Sequence, residues 1–163
     1  MKVYVLVLLT CLAVSSQILA KNSPKDIAAK AISMYLEGWQ QKNGEIFARP
    51  FSHEAQFVNI FGMHFVSKAQ IAARHQKIFD TFLKGTSLSI ETIKIKKLAS
   101  NALLAHVVWN LKGLSSPYCQ KNTKENSLKC PRRGMFSHVL MPQNKTWQIV
   151  STQNTVLSKP EKG

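Results

Sequence analysis

Acidic side chains are scarce in this chain, with 8 Asp and Glu against 22 Lys and Arg and a formal net charge of +14. Carboxylate ligands for a metal are correspondingly few, and there is no HExxH pattern and no close histidine pair, so a zinc centre is disfavoured. No G-x-S-x-G elbow is present to present a nucleophilic serine, and no glycine-rich loop to cradle a phosphate. Cysteine is limited to three residues without a CxxC redox pair. Internal repeats and low-complexity tracts are missing as well. Beyond the first few residues no apolar run approaches the roughly 20 residues that span a bilayer. No cofactor and no metal is expected from these patterns.

What remains is a chain of 163 residues with 45% hydrophobic content, enough for one core and too short for two comfortable domains. Lys2, the apolar run from Val3 to Val14, a polar Ser15-Ser16-Gln17 and a small residue at Ala20 read as a secretory signal peptide over 1–20. Leu8-Leu9-Thr10-Cys11 offers a weaker lipoprotein reading, since Thr is a poor residue before a lipidated cysteine. The expected mature chain is one domain over 21–158 with a polar tail over 159–163, exported to the periplasm or secreted, without a membrane span after cleavage.

Cleavage removes Cys11 and leaves Cys119 and Cys130 in a polar, Lys-rich stretch. A disulfide is the expectation there, stabilising by roughly 3 kcal/mol through a restrained unfolded chain, with two free thiols as the alternative. The basic excess gathers at Lys94, Lys96 and Lys97 and at Lys121, Lys124, Lys129, Arg132 and Arg133. Lys129, Arg132 and Arg133 are candidates for contact with an anionic surface, against the plainer reading of a solvated basic face. The clusters lack interleaved aromatics and match no nucleic-acid module, so specific nucleic-acid binding is not expected.

Ser23, Pro24 and Asp26 mark a helix start, and Ile27, Ala31, Met34, Tyr35, Gly38 and Trp39 recur on one face through Lys42. A short helix from Glu45 to about Ala48 should follow, ending near Pro50. From Ala55 the period becomes two, with Phe57, Asn59 and Phe61 on one parity, and Gly62-Met63 turns the chain back into His64-Phe65-Val66. Ser67 with Gln70 opens a helix carrying Ile71, Ala72, His75, Ile78, Phe79 and Phe82, closed by Gly85. Four strands follow: one around Leu88 to Ile95, then Ala102 to Leu114, Gly134 to Met141 and Thr146 to Leu157. Leu88 and Ile90 differ in parity from Ile93 and Ile95, so a bulge near Glu91-Thr92 should bend the sheet. Strands gathered after helices indicate an α+β fold: a strongly bent antiparallel sheet around the long first helix, forming a cone with an apolar interior.

Several segments carry a resemblance. Phe57-Val58-Asn59-Ile60-Phe61-Gly62, Ala73-Arg74-His75-Gln76-Lys77-Ile78-Phe79-Asp80-Thr81-Phe82-Leu83-Lys84-Gly85, Ala105-His106-Val107, Trp147-Gln148-Ile149 and Gln153-Asn154-Thr155 resemble the SgcJ/EcaC-type branch of the SnoaL-like, nuclear-transport-factor-2-like superfamily. That resemblance implies a cystatin-like cone with two further helices, commonly a homodimer through the sheet face. It does not imply a reaction, because the fold hosts isomerases, cyclases, binding proteins and association modules. By approximate alignment with the ketosteroid isomerases, Tyr35 stands where the donor tyrosine lies, Asn59 where the carboxylate base lies, and Ser137 near the acidic donor. An amide cannot take the proton, so that mechanism is disfavoured.

The remaining titratable candidates are His75, His106 and His138. Converging in the cone, two of them could act as acid or base near neutral pH; the plainer reading of each is a buried neutral imidazole. Tyr35, Trp39, Asn59, Phe61, His75, Phe79, His106 and Gln153 are the candidate lining of a pocket for a small apolar ligand. Trp109 and His106 have opposite parity, so one of them faces away from the cone, and an outward Trp109 would suit a dimer face.

Overall fold

Ser23 caps α1 (Pro24–Gln41) as its sequence implies: its Oγ accepts from the Asp26 amide at 3.2 Å while Asp26 Oδ2 accepts from the Ser23 amide at 3.2 Å. The computed structural model describes residues 23–114, 120–122, 127–129 and 133–157. The helix stops at Lys42, which takes a left-handed conformation with φ 54° and donates its amide to the Gly38 and Trp39 carbonyls. Helix α2 (Gly44–Ala48) turns straight back against α1. Gly38 permits this, since a β-carbon there would stand 2.1 Å from the Phe47 amide nitrogen. Helix α3 (Lys68–Asp80) begins at Ser67, whose Oγ accepts from the Gln70 amide, and ends five residues before Gly85 in a run of turns.

Strand β1 (Phe51–Val58) starts four residues earlier than the alternation from Ala55 suggests, because Phe51 and Ser52 are both buried and break the period. It ends before Asn59, which belongs to the turn leading to β2 (His64–Phe65) and not to a strand. The remaining long strands are β3 (Ser87–Ala99), β4 (Ala102–Lys112), β7 (Arg133–Gln143) and β8 (Thr146–Val156). A separate pair, β5 (Gln120–Asn122) and β6 (Ser127–Lys129), forms a small antiparallel ribbon. The main sheet runs β2-β1-β8-β7-β4-β3. It is mixed rather than wholly antiparallel, because β1 lies parallel to β8, with Phe57 opposite Thr152. Helix α3 intervenes between the β1–β2 hairpin and the meander, and the chain re-enters beside β1 only with its last strand.

Register shifts bend the sheet. One falls between Ile90 and Thr92, where the parity change places it, and another between Val139 and Leu140 on β7, opposite Val150 on β8. The concave face carries Leu103, Ala105, Val107, Trp109 and Leu111 from β4 and packs against Ile27, Ala31 and Tyr35 of α1. Each large side chain buried in this way contributes roughly 1.5–3 kcal/mol. The opposite face of β4 carries Leu104, His106 and Val108, half-buried, with Val139, Ser137 and Met135 of β7 as their register partners.

The expected signal segment 1–20, the tail 159–163, Cys119, Cys130 and Arg132 lie outside the described residues. Among the described residues no helix is long and apolar enough to cross a membrane.

Candidate functional site

A cavity of about 90 Å³ opens between the concave sheet face and α3. Trp39 of α1 forms one wall, its indole Nε1 donating to Thr86 Oγ1 at 3.2 Å, and the Thr86 hydroxyl donates to the Leu83 carbonyl at 2.7 Å. Phe57 enters from β1, Leu88 from β3, and Trp109 and Leu111 from β4. Trp109 is fixed by donating its indole N–H to Asn154 Oδ1 at 3.0 Å, and Asn154 of β8 lines the cavity beside it. The rim is the β1–β2 turn, where Phe61 is 61% exposed and also borders the cavity.

Polar groups on this wall are few. Asn59 Oδ1 accepts from the Phe61 amide at 3.0 Å and the Met63 amide at 2.9 Å, so its carbonyl holds the rim turn. Helix α3 contributes Arg74, half-buried, and His75, buried. His75 Nδ1 lies 2.7 Å from the Ile71 carbonyl oxygen, which only accepts, so the neutral ring carries its proton on Nδ1 and leaves Nε2 as an acceptor. Its imidazole stacks on Phe47 with centroids 3.8 Å apart and meets Phe57 edge-on. Burial pulls the His75 pKa down to about 4; the Ile71 hydrogen bond opposes that drop and the Arg74 charge adds to it. His75 is therefore neutral at pH 7, suited to accept a hydrogen bond and poorly suited to give up a proton.

The three candidate histidines do not converge. His138 is buried behind Phe136, whose ring stacks on it at 5.3 Å and itself forms part of the cavity wall. His138 Nδ1 pairs with Thr152 Oγ1 at 2.8 Å, Nε2 has no partner, and burial pulls the pKa down to about 3. Tyr35 sits against it, ring centroids 5.6 Å apart, with its hydroxyl also unpartnered; burial pushes its ionisation well above the usual range. Tyr35 and His138 are thus core residues, not cavity wall. His106 lies on the convex face with Ser137 opposite it, and Gln153 is exposed opposite Ser137.

Trp39, Asn59, Phe61 and His75 border the cavity as the sequence suggested. Phe79 stands one layer behind, packed edge-on against Trp39 at 5.3 Å. The inward residue of the pair Trp109 and His106 is Trp109, 4% exposed, so the tryptophan cannot serve an outer dimer face. Arg133 is not a free cation, because its guanidinium donates to both Glu91 carboxylate oxygens at 2.6 and 2.7 Å. Arg74 and Asn154 are cavity residues that sequence reasoning missed. Arg74 carried a faint signal, one helical turn before Ile78 on the flank of the apolar stripe. No group of three or more His, Cys, Asp and Glu side chains placed to hold a metal occurs among the described residues.

No protein-family model and no curated protein sequence matches the chain. Solved structures do. A cystatin-like-fold domain of unknown function from Nostoc punctiforme superposes with a TM-score of 0.70 at 29% identity, over 86% of this chain and 82% of that one. An uncharacterised cystatin-like-fold protein from Caulobacter vibrioides gives 0.72 at 20% identity, over 84% and 92%. An NTF2-like protein of unknown function from Shewanella oneidensis gives 0.63 at 16% identity, over 82% and 99%. The chain has the cystatin-like, NTF2-like fold. This fold agrees with the one that the SnoaL-like resemblance of its motifs implies; the SgcJ/EcaC-type branch is a finer expectation on which these structures do not bear.

Proposed function

We propose that this NTF2-like domain binds a small, mainly apolar molecule in the cavity beneath Trp109. The observation that carries the reading is an apolar hollow with a handful of polar groups, Asn59, Arg74, His75 and Asn154, set among aromatic and leucine side chains. Its volume of about 90 Å³ is of the scale, though below it, of the ~150 Å³ engineered cavity that accepts benzene. A ring or short alkyl group fits, with the rest of the ligand leaving past Phe61. The neutral, weakly basic His75 favours binding over acid–base catalysis. The reading includes export, resting on the signal-like segment 1–20.

Ligand binding to the native state raises the melting temperature through mass action, by an amount that grows with concentration. A thermal-shift screen of small aromatic and alkyl compounds should yield concentration-dependent increases that Leu111→Trp, which fills the hollow, abolishes. A screen in which no compound shifts the transition would remove this reading.

A second reading rests on the convex sheet face. Leu104, Val108, Met135 and Val139 are half-buried apolar residues on this face, and a second copy of the chain is the occupant we propose. Sedimentation should report a dimer that Val108→Lys converts to a monomer. A monomeric wild type at tens of micromolar would rule this out.

A further inference from the structure

Among the described residues, the cavity wall has one cation and no acid. Among the described residues the ion pairs are Arg49 with Glu37 and Arg133 with Glu91, and no carboxylate borders the hollow. Arg74 is half-buried on that wall without an acidic partner. An unpaired guanidinium held against apolar side chains loses hydration without gaining a counter-charge. Its neighbours repeat the bias. Asn59 Oδ1 accepts from two rim amides and Asn154 Oδ1 from Trp109, so each keeps an N–H₂ group to donate. Against these donors, the acceptors among the described side chains are His75 Nε2 and the second lone pair of Asn154 Oδ1.

We infer that the ligand of this cavity is an apolar carboxylic acid, bound ionised, with its carboxylate on the Arg74 guanidinium and its hydrocarbon or aryl part under Trp109. This rests on the cavity being the binding site. The planar guanidinium matches a carboxylate in a two-bond fork. A phosphate monoester, with a charge of about −1.5 to −2, calls for more than the one cation that the described residues of this wall offer. The overall charge of +14 adds long-range attraction for anions at low salt.

Matched ligands test the inference on the unmodified protein: phenylacetate against phenylacetamide, and hexanoate against hexanamide, each titrated by calorimetry at pH 7 and 0.15 M salt. The acids should bind at least tenfold more tightly than their amides. Arg74→Gln should remove most of that preference, and Arg74→Lys should retain part of it. Circular dichroism and thermal melting establish that the variants fold, and the acid-to-amide comparison on wild type stands without them. Equal affinity of acids and amides would overturn the carboxylate inference and leave the cavity reading intact. Acid binding unchanged in Arg74→Gln would overturn it too, marking attraction to the general basic surface. Binding by no member of either series, together with an empty thermal-shift screen, would remove the cavity reading and this inference together.

Discussion

Trp109 occupies the space a side chain at Gly134 would need: a β-carbon there would stand 2.1 Å from Trp109 Cζ2 and 2.6 Å from the Thr155 carbonyl oxygen. The two residues are register partners across β4 and β7, so the glycine is what lets the indole lie inward and reach Asn154. Gly134→Ala should cost roughly 1–3 kcal/mol, as overpacking of a filled core does. It should also turn Trp109 off Asn154. Urea unfolding with tryptophan emission checks both, and an alanine variant with wild-type midpoint and spectrum would show that the contact is not restrictive.

Acid should weaken this fold before its carboxylates protonate. His75 and His138 have folded-state pKa values lowered to about 4 and about 3 from 6.5. The unfolded chain therefore takes up protons first, and the stability from keeping these rings neutral is full above about pH 6.5 and declines as pH falls toward 4 and then 3. The slope should approach about 1 kcal/mol per pH unit for each imidazole. Denaturant midpoints between pH 7.5 and 5 measure it; replacing His138 by Phe should flatten the curve. A flat wild-type profile across that interval would contradict burial of the two rings in neutral form.

Tyr35 carries a hydroxyl that is buried and unpartnered. Removing an unsatisfied polar group from a core should be neutral or stabilising, so Tyr35→Phe is expected to match or exceed wild-type stability, by up to about 2 kcal/mol. Chemical denaturation gives the answer. A loss above 1 kcal/mol would mean that the hydroxyl has a partner, such as a buried water shared with His138 Nε2.

Local chemistry made much of the frame legible in the sequence. Ser23 with Asp26 and Ser67 with Gln70 announce helix starts, and the parity change between Ile90 and Ile93 announces a bulge. The cavity wall was harder, because parity groups residues by face without saying which face is concave. That choice is made by the packing of α1, which turns Trp109 in and His106 out. On β8 the count itself fails: stepping by two from Ile149 arrives at Gln153, but the register shift opposite Val150 delays the alternation by one residue. Thr152 and Asn154 then face inward. The parallel pairing of β1 with β8 joins segments about a hundred residues apart, which no local pattern encodes. The partnerless state of Arg74 is likewise a property of the assembled wall, not of its neighbours in sequence.

Amide chemical-shift mapping during titration with a small aromatic compound tests most directly that the hollow under Trp109 is where this domain binds. The account requires saturable shifts gathered at the Trp109 indole N–H and the backbone amides of Phe57, His75, Leu111 and Asn154. Saturable shifts confined to the convex face around Leu104 and Val108, with the Trp109 indole unmoved, would contradict it.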